Sequence, residues 1–153
     1  MIGLEERVCI FIDGSNFYHA LKTTHNSTNI DFYKLSKRLC GDRRLIRTYY
    51  YNAPVNKQDD EEKHTDQQRF FKALSQTPYI EVRLGRLEPR TDKKTGAIYR
   101  IEKGVDVRLA VDMLSYAVNN MYDTAIIISG DGDFVEAVNA VKNLSLIHIY
   151  AAD

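Results

Sequence analysis

Cysteine is scarce in this chain: only Cys9 and Cys40 occur among 153 residues. One lies inside an apolar run and the other at an apparent helix end. Two isolated cysteines make neither a disulfide framework nor a thiolate zinc site, which suits a reducing compartment. Net charge is lacking as well. Lysine plus arginine number 21, and so do aspartate plus glutamate. Bulk charge therefore selects no partner, and any basic surface has to come from local clustering. Glycine (eight) and proline (three) are few. With 44% apolar and 27% charged residues, the composition is that of an ordinary globular domain with one sizeable core. No apolar run is long enough to span a bilayer. The opening MIGLEER is charged where a signal peptide would turn apolar. Neither a Walker-type phosphate loop nor the dinucleotide-binding glycine fingerprint occurs. These absences predict a soluble cytoplasmic protein.

What is present alternates. RVCIFI (7–12) is a continuous apolar run ending at Asp13, the pattern of a strand buried on both faces. NFYHALK starts a short helix. DFYKLSKRLCG (31–41) predicts a helix with Asp31 as N-cap and Gly41 at its stop. RLIRTYYYNA (44–53) predicts a strand, and DDEEKHTDQQRFFKALSQT (59–77) a helix with acids first and bases later, as the helix dipole favours. YIEVRLG (79–85) is a strand, and LEPRTDKKTGAIYRI (87–101) a hairpin or long loop. GVDVRLAVDMLSYAVNN (104–120) is an amphipathic helix, DTAIIIS (123–129) a buried strand and DFVEAVNAVKN (133–143) a helix. Strand and helix in turn imply an α/β fold with a mostly parallel sheet and helices on both faces. Ligands of such sheets bind beyond the carboxyl ends of the strands. Asp13 follows the first strand there, and Asp131 and Asp133 follow the last.

Like charges as close as Asp131 and Asp133 in SGDGDF repel each other unless a cation intervenes. With Asp13 in FIDGSNF and Asp106 in KGVDVRL, four carboxylates converge on one sheet edge. Gly14, Ser15, Gly104, Ser129, Gly130 and Gly132 surround them. An oxygen-only donor set favours a hard cation, Mg2+ or Mn2+. Such an ion would activate water and steady a phosphodiester, with one or two ions acting. Singly, an aspartate at a helix start is commonly only a cap. Three such motifs meeting at one edge are harder to assign to capping. A haloacid-dehalogenase-type phosphatase would need a second aspartate where Ser15 stands. SGDGDFVEAVNA has neither the ligand spacing nor the flanking helices of a calcium-binding EF-hand.

FIDGSNFY, KGVDVRLAVDML and DTAIIISGDGDFVEAV together resemble the NYN domains, in the LabA-like branch of the PIN-like nuclease superfamily. The resemblance covers roughly residues 7–143. It implies a PIN-like, Rossmann-like three-layer α/β/α sandwich and a divalent-metal-dependent nuclease acting on RNA, single-stranded or structured. By motif position, Asp13, Asp106, Asp131 and Asp133 resemble the acidic metal site. Asn16 matches the asparagine that braces the first aspartate or touches substrate. Lys103 precedes the helix aspartate, and Ser129 opens the SGDGD motif. Asp112 also matches, but it stands six residues after Asp106. That is about 240° around a helix, so Asp112 is assigned a supporting or structural role. Family members differ in whether they cut. A metal- and RNA-binding regulatory module of the same fold is the alternative, and a phosphatase the third. The residues themselves leave RNA and DNA undistinguished.

Eight basic residues fall between Arg83 and Arg108 (Arg83, Arg86, Arg90, Lys93, Lys94, Arg100, Lys103, Arg108), interleaved with Glu88, Asp92, Glu102 and Asp106. That excess suits a phosphate backbone or a solvated hairpin equally. Tyr18 and the TYYY run (48–51) are aromatic and chiefly expected to pack. His19, His25 and His64 lack metal-ligand spacing. After NAVKN no cap or turn intervenes before LSLIHIYAAD. LSLIHI resembles the translation of a transposon-type sequencing adapter, CTG TCT CTT ATA CAC ATC. The expected organisation is a domain over 1–143, cut short at its C-terminus, and a non-native tail over 144–153, although SLIHIY also has a strand pattern.

Overall fold

The computed structural model describes residues 5–15, 17, 30–129, 139 and 148–152. Its centre is β1 (Arg7–Asp13), which is flanked on both sides by parallel strands: β2 (Arg44–Asn52) and β6 (Thr124–Ile128). β3 (Ile80–Leu84) extends the sheet beyond β2, and β7 (His148–Ala152) beyond β6. The strand order is β3-β2-β1-β6-β7, all parallel. A central strand needs apolar residues on both faces, which is why RVCIFI lacks alternation. The order reverses between β1 and β6, and in an open α/β sheet the crevice at that reversal receives the ligand.

Helix α1 (Phe32–Cys40) starts where Asp31 accepts a hydrogen bond from the Lys34 N–H. It stops at Gly41, whose φ of 68° requires glycine and whose N–H donates to the Lys37 carbonyl at 3.0 Å. Helix α2 (Glu61–Ser75) is capped by Asp60, which accepts from the Lys63 N–H, and carries Glu61 and Glu62 in its first turn. Helix α3 (Val105–Val118) begins after Gly104, which has a φ of 87°. A Cβ there would meet nothing within 4 Å, so glycine is needed for its dihedral rather than for space.

Alternation along β1 sorts the helices into two layers. Val8, Ile10 and Ile12 pack with Phe32, Phe71 and Leu74 of α1 and α2. Cys9 and Phe11 pack on the other face with Val105, Leu109, Met113 and Ala117 of α3. The product is the expected three-layer α/β/α sandwich. Tyr49, Tyr50 and Tyr51 are all buried, Tyr50 on the first face and its two neighbours on the second. The 87–101 segment resolves into its hairpin form. β4 (Arg86–Thr91) and β5 (Ile98–Lys103) make an antiparallel ribbon separate from the main sheet.

At the amino edge, Arg7 locks the frame. Its guanidinium donates to both Asp123 oxygens at 3.0 Å and to the Asn120 carbonyl at 2.8 Å, joining β1 to the turn before β6. That contact holds the Asp123 carboxyl below its ordinary range and raises the Arg7 guanidinium. β7 lies in the LSLIHIYAAD segment, whose apolar content suits a strand whatever the segment's origin. The helix expected over 133–143 lies outside the described residues apart from position 139, which is helical. No helix among the described residues is long and apolar enough to cross a membrane.

Candidate active site

Two of the residues singled out from the sequence, Asp13 and Ser129, meet at the carboxyl edge of the sheet. Asp13 is the last residue of β1 and is 2% exposed. It lies one step past the Ile12–Ile128 pair of β1 and β6, opposite Ser129, whose hydroxyl donates to Asp13 Oδ2 at 3.3 Å. The two residues are 116 positions apart in sequence and meet at the point where the strand order reverses. Burying a carboxylate is costly without compensating donors or cations, and Ser129 supplies one donor.

Gly14 and Ser15 turn the chain away from the strand. A Cβ on Gly14 would press into the Tyr50 ring and come within 2.5 Å of the Tyr51 carbonyl oxygen. The glycine therefore permits a close approach to β2, and its carbonyl accepts from the Tyr50 hydroxyl at 3.2 Å. Ser15 Oγ donates to Asn52 Oδ1 at 2.7 Å, and the same oxygen accepts from the Ala53 N–H. Asn52 is buried and was not among the residues singled out from the sequence. The available signal was its position, since it ends an apolar strand at the ligand edge as Asp13 does.

Asp106 reaches the same edge by another route. The ribbon leaves the end of β3 at Arg86 and returns beside it, because Arg86 pairs with Lys103. Gly104 and α3 therefore start at the carboxyl edge, with the half-buried Asp106 in the first turn. Lys103 is the last residue of β5. Asp131, Asp133 and Asn16 lie outside the described residues.

Asp112 is elsewhere, further along α3. It accepts from the Tyr51 phenol at 2.9 Å and lies 3.9 Å from Arg83 Nε and 4.0 Å from Arg108 Nε. Arg83 also donates to the Tyr116 hydroxyl at 2.9 Å and lies over the Tyr49 ring. Asp112 thus closes a packed polar network between α3 and the sheet. Burial, reinforced by Asp112, pushes the Tyr51 phenol well above its ordinary value.

The basic excess of residues 83–108 is smaller in space than in sequence. Arg86 and Arg90 both pair with Glu88, at 2.8 and 3.0 Å. Arg100 holds Asp59 at 2.7 Å, and Arg83 lies 3.4 Å from Glu81.

Among the described residues no group of three or more histidine, cysteine or acidic side chains is gathered for a metal. The donors that are described at the edge nevertheless fit a hard cation. They are carboxylate and hydroxyl oxygens, whereas Cys9 sits mid-strand in the core, its thiol pushed up to about 12 by burial.

Comparison with known proteins extends this picture. The NYN domain model matches residues 7–153. The low amplitude and bright protein LabA of Synechococcus elongatus is 28% identical over 138 residues, covering 89% of this chain and 68% of LabA. A Vibrio parahaemolyticus protein of unknown function, VPA0982, superposes with a TM-score of 0.64 at 20% identity, over 97% of this chain and 94% of the other. At that identity the likeness concerns the fold. With the match running from β1 to the last residue, the resemblance carried by three short motifs becomes membership: this chain belongs to the NYN domain family.

Proposed function

We propose that this chain is a divalent-metal-dependent nuclease that hydrolyses phosphodiester bonds in RNA. The observation that carries the reading is Asp13, a carboxylate buried at the strand-order reversal and hydrogen-bonded to the serine that opens SGDGD. Membership of the NYN family supports a nuclease and, at the level of the family, RNA. Asp13, Asp106, Asp131 and Asp133 are the residues that would hold Mg2+ or Mn2+. Such an ion supplies Lewis-acid charge to a phosphodiester and makes water more acidic. The chain's own contribution is placement. Asp13 is presented from a rigid central strand, Ser129 fixes one of its oxygens, and Asp106 enters from a helix start. Asn16 and Lys103 are assigned supporting roles toward the carboxylate and the phosphate from their sequence positions.

The test incubates the protein with labelled single-stranded RNA and DNA in Mn2+, Mg2+ or EDTA, beside Asp13→Asn. RNA cutting in metal but not EDTA is expected, with a loss of about 100-fold or more in the variant and a thermal midpoint close to wild type. Undiminished cutting by Asp13→Asn removes Asp13 from the mechanism. Metal-dependent RNA binding without turnover moves the function to the non-catalytic regulatory module.

A further inference from the structure

We propose that one face of the β4–β5 ribbon, with the cleft at its foot, binds a single-stranded nucleic acid and leads it to the acidic edge. The choice of ligand rests on the nuclease reading above. Directly opposite residues of an antiparallel pair share a face. The register pairs Glu88 with Ile101 and Arg90 with Tyr99, in line with Arg86. Arg100 stands on the opposite face, where it grips Asp59 and fixes the ribbon against the loop before α2. The Arg86 side chain is 78% exposed and that of Arg90 41%, and Tyr99 is half exposed.

One carboxylate, Glu88, lies between two guanidiniums, so the face keeps a positive balance. Glu88 also holds both guanidiniums in place while each retains donors for a phosphate. A half-exposed tyrosine next to such cations is a stacking platform, and stacking accepts any unpaired base.

Arg86 belongs to a second surface as well. It lines a cleft of about 480 Å³ with Asn56, Lys57, Gln58 and His64, just beyond the carboxyl ends of β2 and β3. β3 and β1 are two strand spacings apart, so the cleft opens roughly 10 Å from the Asp13 strand. The ribbon itself runs through Lys103 and Gly104 into the turn that bears Asp106. Cations, an aromatic platform and carboxylates are thus continuous along one stretch of chain.

The experiment measures anisotropy of a labelled 20-nucleotide RNA, single-stranded or annealed to its complement, in EDTA across a salt series. Proteins are wild type, Arg86→Ala/Arg90→Ala, Tyr99→Ala and Tyr99→Phe, each with its thermal midpoint and oligomeric state. The double variant should bind the single strand about tenfold or more weakly, with the log–log salt slope reduced by about 1.4 for two lost phosphate contacts. Tyr99→Ala should weaken binding roughly tenfold, and Tyr99→Phe should keep it. Equal affinity and slope in wild type and variants would overturn the proposal, as would no binding by wild type or tighter binding of the duplex. A change of oligomeric state with unchanged affinity assigns the face to a second copy instead. Cleavage of the same strand in Mn2+ is read separately. Lost binding in the variants with no cutting by wild type sinks the nuclease and spares the ribbon.

Discussion

Tyr51 donates its phenol to Asp112 at 2.9 Å, joining β2 to the middle of α3 at the register level of Asp13. That bond sets how α3 lies on the sheet, and Asp106 rides on the first turn of the same helix. Tyr51→Phe leaves the largely buried carboxylate facing Arg83 and Arg108 at 3.9 and 4.0 Å without its short donor. The expected cost is about 1 to 2 kcal/mol, or a drop of roughly 2–8 °C in thermal midpoint. Cleavage should fall much less than in Asp13→Asn. A midpoint equal to wild type would mean that the contact contributes nothing.

Gly14→Ala forces a methyl group against the Tyr50 ring and the Tyr51 carbonyl. The Tyr50 ring is buried and tied to the Gly14 carbonyl, so it has little room to give. Overpacking of this kind costs about 1 to 3 kcal/mol. Urea unfolding should show a lower midpoint at unchanged slope. Because Gly14 follows Asp13 directly, metal affinity measured by calorimetry should fall as well.

Stability should decline at both ends of the pH scale, for different reasons. Asp123 is held below its ordinary 3.8 by Arg7, so its contribution is present above that value and is lost as pH falls through the lower, folded-state value. Both groups are partly exposed, which limits the contribution to about 1 kcal/mol. Arg7→Ala should flatten the acid limb of a Tm-against-pH curve. Tyr49, Tyr51 and Tyr122 are raised above 10.0, chiefly by burial. Their contribution is complete below pH 10.0 and is lost as pH rises toward their folded-state values. An alkaline limb starting near pH 8 would contradict that assignment.

Both thiols should be silent in the folded protein. Cys9 and Cys40 are buried, and burial raises each above its ordinary value. Iodoacetamide at pH 8 should label neither until denaturant is added, after which mass spectrometry should find two adducts. Rapid labelling of Cys9 under native conditions would show that β1 opens.

The frame was legible because it is written locally. Asp31 and Gly41 mark their helix by chemistry that acts within one turn, and the apolar run of β1 announces a strand covered on both faces. Asp13 was legible as a charge at the end of such a run. Asn52 was not, because its value depends on Ser15, 37 positions away. How much of the charge excess of 83–108 is paired was hidden in part for the same reason. Glu88 takes up two arginines locally, but Arg100 finds Asp59 41 residues back, and no count along the chain reveals that. Gly14 stands out in sequence only as one of several small residues around the carboxylates, and what it makes room for is the neighbouring tyrosine strand.

The bond between Asp13 and Ser129 spans 116 positions. On the ribosome, Asp13 emerges 116 residues ahead of Ser129. Until the later segment has left the exit tunnel and paired beside β1, the edge lacks one of its walls. Whatever chemistry this edge performs therefore waits for that later segment, with no inhibitor required.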